Sequence, residues 1–214
     1  MRLYLSSYLM GDHPEHLRTL VGEDDRVAVV IANALDHVPA EARRSRVARE
    51  LAALADLGFD AVELDLRDYF GQQQRLRHDL DEVCMAWLTG GNVFMLRYAL
   101  FRSGGDVSFR DLLAADALVY AGYSAGPCVL CASLRGMEAV DDVDAVTLVY
   151  RAEPVWDGLG LLNEAFVPHY RSPGHPETGA MEVVVARYRA EGTAYRTLHD
   201  GQALLINGPD TAIV

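Results

Sequence analysis

One serine in this sequence stands in a setting that could make it a nucleophile. Residues 122–126 read GYSAG, so Ser124 occupies the centre of a GxSxG pattern. The apolar run at 118–121 and the apolar stretch after the motif predict a strand, a tight turn and a helix. Small residues on both sides let such a turn lift the serine hydroxyl above a sheet, beside the helix N-terminus. The pattern favours acyl-transfer chemistry at Ser124 over the alternative, a glycine-rich turn with an incidental serine.

Two backbone N–H groups could stabilise the negative charge that acyl transfer develops on a carbonyl oxygen. One belongs to Ala125, directly after the serine, and the other to Gly91, in the segment TGGN at 89–92 that follows a predicted strand. Preorganised donors of this kind each stabilise a transition state by roughly 3 kcal/mol. A Gly-Gly pair after a strand is often only a turn. The segment is therefore a candidate oxyanion-binding element only in combination with Ser124.

A serine nucleophile needs a base, and the chain contains seven histidines. His169 follows an apolar segment and Pro168, whose ring fixes the backbone just before it. His175 lies six residues later in a loop with proline and glycine, and is the second choice. Asp200, at a predicted strand end, is the candidate to orient the imidazole. From the residues alone, a purely structural role for His169 is equally open.

A different assignment would follow the Ser, Asp, His order of α/β-hydrolases. It would combine Ser124 with an acid such as Asp157 and with His199. The short chain and the irregular second half favour the order Ser124, His169, Asp200 instead.

The candidate site residues must be positioned by regular secondary structure, and the sequence pattern predicts alternating strands and helices. The alternation favours an α/β fold, a three-layer sandwich with a mostly parallel sheet, in which sites form at the carboxyl ends of strands. Both glycine motifs fall at such ends. We expect strands at 2–6, 26–32, 60–66, 83–88, 118–121, near 147–150, 194–198, 203–207 and 211–214, a short extended piece at 166–170, and helices at 40–57, 72–80, 93–102 and 177–189.

Composition limits the class of protein further. The 214 residues predict one domain over 1–214, and 31 acidic against 19 basic residues give a net charge of −12, which disfavours nucleic-acid binding. The sequence shows neither a membrane-spanning run nor a signal peptide, so we expect a cytoplasmic protein. Cys128 and Cys131 form a CxxC pair with no second pair to complete a zinc site. We therefore expect small buried residues in a helix and no metal.

At these residues the chain resembles the peptidase E family, the aspartyl dipeptidases, with cyanophycinase as a more distant relative. The matching segments are GGN at 90–92, GYSAG at 122–126, PH at 168–169, GH at 174–175, ET at 177–178 and LHDG at 198–201. The resemblance implies a fold similar to class I glutamine amidotransferases and a serine peptidase mechanism. Ser124 would attack, His169 would transfer the proton, Asp200 would hold His169, and Gly91 and Ala125 would bind the oxyanion.

The same resemblance implies short peptides with an N-terminal aspartate as substrates, no cofactor, and a monomer or homodimer. The aspartyl dipeptidases carry an arginine after the Glu-Thr pair, where this chain has Gly179. Arg171 is a candidate replacement, and Asn92 and Tyr123 are further candidates for substrate binding. Two alternatives to a dipeptidase stay open: a catalytically silent binding protein of this fold, and an esterase or amidase acting on another small metabolite.

Overall fold

The computed structural model describes residues 1–22 and 26–214, which contain nine strands and eight α-helices. The strands are β1 (Arg2–Ser6), β2 (Val27–Ile31), β3 (Asp60–Glu63), β4 (Met85–Leu88), β5 (Val119–Tyr123), β6 (Ala165–Val167), β7 (Tyr195–Thr197), β8 (Ala203–Asn207) and β9 (Asp210–Ile213). The helices are α1 (Glu15–Val21), α2 (Ala40–Asp56), α3 (Gln73–Asp81), α4 (Val93–Ser103), α5 (Gly105–Ala114), α6 (Ala125–Cys128), α7 (Asp144–Tyr150) and α8 (Thr178–Glu191). Short 3-10 helices span Asn33–Leu35, Leu66–Tyr69 and Met137–Ala139.

Seven strands form one sheet in the order β3-β2-β4-β5-β1-β8-β9. Every pairing among β1 to β5 is parallel, and β8 runs antiparallel to both β1 and β9. β6 and β7 pair in parallel as a separate two-stranded sheet. The α/β sandwich with a mostly parallel sheet, predicted from the alternation of elements, is confirmed.

The sheet separates two hydrophobic cores, because successive side chains of a strand point to opposite faces. Met85 and Trp87 of β4 pack in one core with residues of α1 and α2. Ala86 and Leu88 pack in the other core, with residues of α3, α4, α5, α6 and α8. Burial on both faces explains why β2, β4 and β5 are continuous apolar runs rather than alternating ones.

The largest error of the sequence prediction is the strand near 147–150, which is part of helix α7. Val146 is fully buried whereas Leu148 is 77% exposed. A strand would place these two side chains on the same face, so its two-residue period is excluded. The β-branched and aromatic residues of this segment favour a strand, but packing of one helical face against the core decides the outcome.

Two further differences concern helices. Neither α1 nor α5 was predicted, and the helix after Ser124 is only four residues long. The dipole of a one-turn helix contributes little at the serine, so individual backbone N–H groups matter more there than the helix dipole.

Cys128 ends this helix, Cys131 lies just beyond it, and both are buried free thiols. No helix in the described ranges combines the length and apolarity needed to cross a bilayer.

Close backbone contact explains both glycines of the GxSxG pattern. A Cβ at Gly122 would lie 2.2 Å from the carbonyl oxygen of Leu88, and one at Gly126 would lie 2.6 Å from the same oxygen. The turn after β5 therefore presses against the end of β4. Only glycine permits this approach, because the obstacle is rigid backbone.

Replacement of Gly122 by alanine tests this contact. We expect Gly122→Ala to lower the free energy of unfolding by about 3 kcal/mol, the upper end for overpacking, because the strand ends must separate. The matched control is Gly179→Ala in α8, where a new Cβ meets nothing within 4 Å. That variant should gain up to about 1 kcal/mol of stability. Urea denaturation measures both, and equal stability of the two variants would contradict the account.

Candidate active site

Ser124 sits in a strained turn at the carboxyl end of β5. Its φ of 53° and ψ of −107° lie outside the regions that a non-glycine residue prefers. Its N–H donates to the carbonyl of Ser6, and its own carbonyl accepts from the N–H of Cys128, at 3.3 and 3.1 Å. Strain of this kind persists where the surrounding structure enforces it and is concentrated at functional sites. The predicted strand, turn and helix around Ser124 are all present.

His169 and Asp200 come together through the two-stranded sheet. Val167 of β6 pairs with Thr197 of β7, and each strand ends there. His169 and Asp200 follow within three residues, and His169 Nδ1 lies 2.7 Å from Asp200 Oδ1. A carboxylate accepts the Nδ1 proton, which leaves the lone pair on Nε2 available as a base. The structure thus brings together the two residues that the sequence suggested as base and orienting acid.

A second layer of hydroxyl groups holds this pair. The His169 N–H donates to Ser7 Oγ at 2.8 Å, and Ser7 Oγ lies 3.0 Å from Asp200 Oδ1, to which it donates. The Asp200 N–H donates to Ser172 Oγ at 2.8 Å. His169 has a positive φ of 56°, so these bonds stabilise an otherwise unfavourable backbone. Ser7 and Ser172 were not predicted as part of the site. The available signal for Ser7 was its position just after β1.

Ser124 and His169 line a common cavity of about 220 Å³ at the carboxyl ends of β1, β4 and β5. Gly91 and Tyr123 also belong to its lining. The remaining lining residues are Tyr8, Arg46, Arg49, Gly90, His175 and Glu177. The arrangement brings a hydroxyl, an imidazole, guanidinium groups and a carboxylate to one small space.

Two residues predicted to bind substrate lie elsewhere. The side chain of Asn92 is 4% exposed and caps helix α4, accepting the N–H groups of Phe94 and Met95. Arg171 does not line the cavity, because its exposed side chain lies over the Tyr170 ring and 4.0 Å from Glu182. The structure therefore corrects both predictions.

Tyr123 does line the cavity and is fixed by a buried carboxylate. Its hydroxyl donates to Glu50 Oε1 at 3.1 Å, and the indole N–H of Trp87 donates to Glu50 Oε2 at the same distance. Arg49 completes the group with an ion pair of 2.9 Å to Glu50. Burial, followed by the charge of Glu50, raises the pKa of Tyr123 well above its ordinary value. The phenol next to Ser124 is thus a neutral hydrogen-bond donor held in one position.

Of the two predicted oxyanion donors, Gly91 lines the same cavity as Ser124, and Ala125 directly follows Ser124 in the chain. Gly91 has a φ of 138°, and a Cβ there would stand 2.6 Å from the carbonyl oxygen of Ala34. Ala125 is buried directly after the serine. Within residues 1–22 and 26–214, neither the Gly91 N–H nor the Ala125 N–H donates to another group. Both remain available for a ligand.

His175 and Glu177 extend the acid–base group around His169. The rings of His169 and His175 are stacked at 3.7 Å with an interplanar angle of 3°, and Glu177 Oε2 lies 3.9 Å from His169 Nε2. These three side chains place metal-ligand atoms within 4.8 Å of one another. Parallel rings, however, hold their in-plane lone pairs in two separate parallel planes, so the two imidazoles are poorly placed to ligate one ion.

The alternative that pairs Asp157 with His199 finds no support in this geometry. His199 is exposed, with its ring 6.5 Å from that of Tyr170. Asp157 forms an isolated bridge with Ser133, and its carbonyl accepts from Arg97. Neither residue lines the cavity that contains Ser124.

The environment of His169 predicts its titration. Burial lowers the pKa of His169 below the ordinary histidine value, the hydrogen bond to Asp200 opposes this, and the charge of His175 lowers it further. We expect His175→Gln to raise the pKa of His169, because a neighbouring positive charge and part of the burial are removed. Imidazole NMR signals across a pH titration measure this. His199→Gln is the control and should leave the pKa unchanged; an unchanged or lower pKa in His175→Gln would contradict the analysis.

Comparison with known proteins gives a consistent result. A model of peptidase family S51 matches residues 15–214. The uncharacterized peptidase Lmo0363 of Listeria monocytogenes is 28% identical over 160 residues, which are 74% of this chain and 72% of that protein. The uncharacterized peptidase Lin0382 of Listeria innocua is 30% identical over 122 residues, 56% of this chain and 54% of that protein.

Two solved structures share the fold. One is a candidate peptidase E of Listeria monocytogenes EGD-e, with a TM-score of 0.78 at 21% identity over 100% of this chain and 97% of that one. The other is a peptidase from an acI-B1 actinobacterium, with a TM-score of 0.70 at 15% identity over 100% of this chain and 86% of that one. At these identities the likeness concerns the fold.

Proposed function

The chain belongs to peptidase family S51, and from this premise we propose that it hydrolyses short peptides by a serine mechanism. The observation that carries the proposal is one shared cavity: Ser124 in a strained turn and His169, whose Nδ1 lies 2.7 Å from Asp200, both line it. A nucleophile, a base and an orienting carboxylate are the three parts of such a mechanism.

The proposed reaction proceeds in two steps through an acyl-enzyme. Ser124 Oγ attacks the peptide carbonyl while His169 Nε2 takes the hydroxyl proton, and Asp200 stabilises the resulting imidazolium. The N–H groups of Gly91 and Ala125 bind the oxyanion. His169 then protonates the leaving amine as the C–N bond breaks. Water, activated by the same imidazole, hydrolyses the ester and restores the Ser124 hydroxyl.

The size and charge of the cavity support a short substrate. Its volume of about 220 Å³ is below the roughly 300–1,000 Å³ typical of small-molecule pockets. Its lining contains the cations Arg46 and Arg49 as well as the carboxylate of Glu177. A peptide of two residues with free termini carries both charges within a few bonds. We therefore propose a dipeptidase rather than an enzyme that digests folded proteins.

The strain at Ser124 disfavours a catalytically silent binding protein. A non-glycine residue in such a backbone conformation costs about 1–3 kcal/mol, and here that conformation is held at the residue whose hydroxyl a serine mechanism would use. An esterase or amidase would use the same side chains, so substrate turnover must separate these activities.

The direct test is hydrolysis of Asp-Leu, Glu-Leu, Ala-Leu and Gly-Leu. We expect cleavage of at least one dipeptide, and a loss in kcat of about 10⁶-fold in Ser124→Ala, because the nucleophile is removed. Ser45→Ala, on the exposed face of α2, is the matched control and should retain full activity.

Each other result has a distinct meaning. Turnover of a small ester without turnover of any dipeptide would replace the peptidase proposal by an esterase. No turnover of either substrate class, by a folded protein, would overturn the serine mechanism. Equal peptide cleavage by Ser124→Ala would place the activity on another residue.

A further inference from the structure

Helix α2 contributes two cations to the cavity around Ser124. Arg46 and Arg49 both line it, and a spacing of three residues places their side chains on one face of the helix. Neither residue belongs to a motif recognised in the sequence. Their role follows only from the packing of α2 against the sheet, where Glu50 of the same helix accepts the indole N–H of Trp87 in β4.

Arg49 is connected to the nucleophile's neighbour Tyr123 through Glu50. Its guanidinium pairs with Glu50, which also accepts the hydroxyl of Tyr123 and the indole N–H of Trp87. Tyr123 directly precedes Ser124 in the chain. A guanidinium held in this way loses less conformational entropy when it binds a ligand.

Arg46 provides positive charge that the described part of the chain does not neutralise. Arg43 and Arg49 of the same helix form ion pairs with carboxylates, whereas Arg46 forms none with any residue of 1–22 or 26–214. The chain as a whole carries a net charge of −12, so the two arginines of the cavity lining form a local concentration of positive charge in an acidic protein. Guanidinium groups bind carboxylates with geometry and strength that other cations do not match.

No other guanidinium group lines the cavity among the residues that the structure describes. Gly179 has no side chain, and a Cβ placed there would meet no other atom within 4 Å. Arg187, the next arginine of α8, pairs with Glu138 and Glu191. Arg171 lies beside Glu182. Among the cavity residues, the guanidinium groups are therefore those of α2.

We propose that Arg46 and Arg49 bind a carboxylate of the substrate and so select anionic short peptides. The inference rests on the proposed function and names the residues that set its specificity. The carboxylate has two chemical sources, the side chain of an acidic N-terminal residue and the α-carboxylate of the C-terminal residue. Substrates that carry one of these groups at a time distinguish the two.

The experiment compares kcat/KM for Asp-Leu, Ala-Leu, Asp-Leu-amide and Ala-Leu-amide. Wild type, Arg46→Gln and Arg49→Gln are assayed beside Arg44→Gln, a control on the exposed part of α2 outside the cavity. We expect each cavity variant to lose roughly 10- to 100-fold for substrates with the bound carboxylate, mainly in KM, and little for substrates without it. Arg49→Lys should restore part of the loss, because it keeps the charge.

The pattern of loss identifies the carboxylate. If the side chain is bound, the preference for Asp-Leu over Ala-Leu collapses in both variants. If the α-carboxylate is bound, the preference for Ala-Leu over its amide collapses. If the two arginines had only a structural role, their replacement would lower kcat/KM equally for all four substrates. Preferences in Arg46→Gln and Arg49→Gln equal to those of Arg44→Gln would overturn the inference.

A binding measurement separates this inference from the proposed function. Calorimetric titration of Ser124→Ala with Asp-Leu and Asp-Leu-amide needs no turnover. Weaker binding by at least tenfold after adding Arg46→Gln supports the carboxylate site even if the wild type cleaves no dipeptide. Unchanged affinity after adding Arg46→Gln and then Arg49→Gln overturns it, whatever the activity of the wild type.

Discussion

The contact between the Ser124 turn and the end of β4 determines the rest of the site. Gly122 and Gly126 both approach the carbonyl oxygen of Leu88, more closely than any side chain would allow. A Cβ at Gly90 would in turn stand 2.6 Å from the Tyr123 ring and 3.1 Å from Ser124 Cβ. The nucleophile and the segment with the Gly91 N–H are thus fixed to each other by backbone packing.

The base reaches the same place from a separate structural unit. The small sheet of β6 and β7 brings His169 and Asp200 to adjacent strand ends, and Ser7, directly after β1, joins both to the main sheet. The buried sulfurs of Cys128 and Cys131 hydrogen-bond the backbone of Phe166 and fasten this unit to the segment after Ser124. The CxxC pair therefore has a structural role in positioning the base.

The sequence predicted those features that local chemistry specifies. The GxSxG turn, the Pro168–His169 step and Asp200 before Gly201 each need particular residue types at fixed spacing. In the structure His169 contacts Asp200, and Ser124 and His169 line one cavity. Arg46, Arg49 and Ser7 could not be found in this way, because only the packing of α2 and β1 brings them to the site. Asn92 was misassigned because a polar side chain at a helix start serves equally as a cap and as a ligand. Segment 147–150 was misassigned because its residue types favour a strand while its burial follows a helix.

The central claim is that the fold activates Ser124 through His169. Labelling with a fluorophosphonate, followed by mass spectrometry of the intact and digested protein, tests it most directly. The account predicts one adduct per chain, located on Ser124, formed by the folded protein and suppressed in His169→Gln, because an unactivated serine does not react. The absence of an adduct on folded wild-type protein would contradict it. So would labelling of a different serine, or equal labelling of Ser124 in His169→Gln.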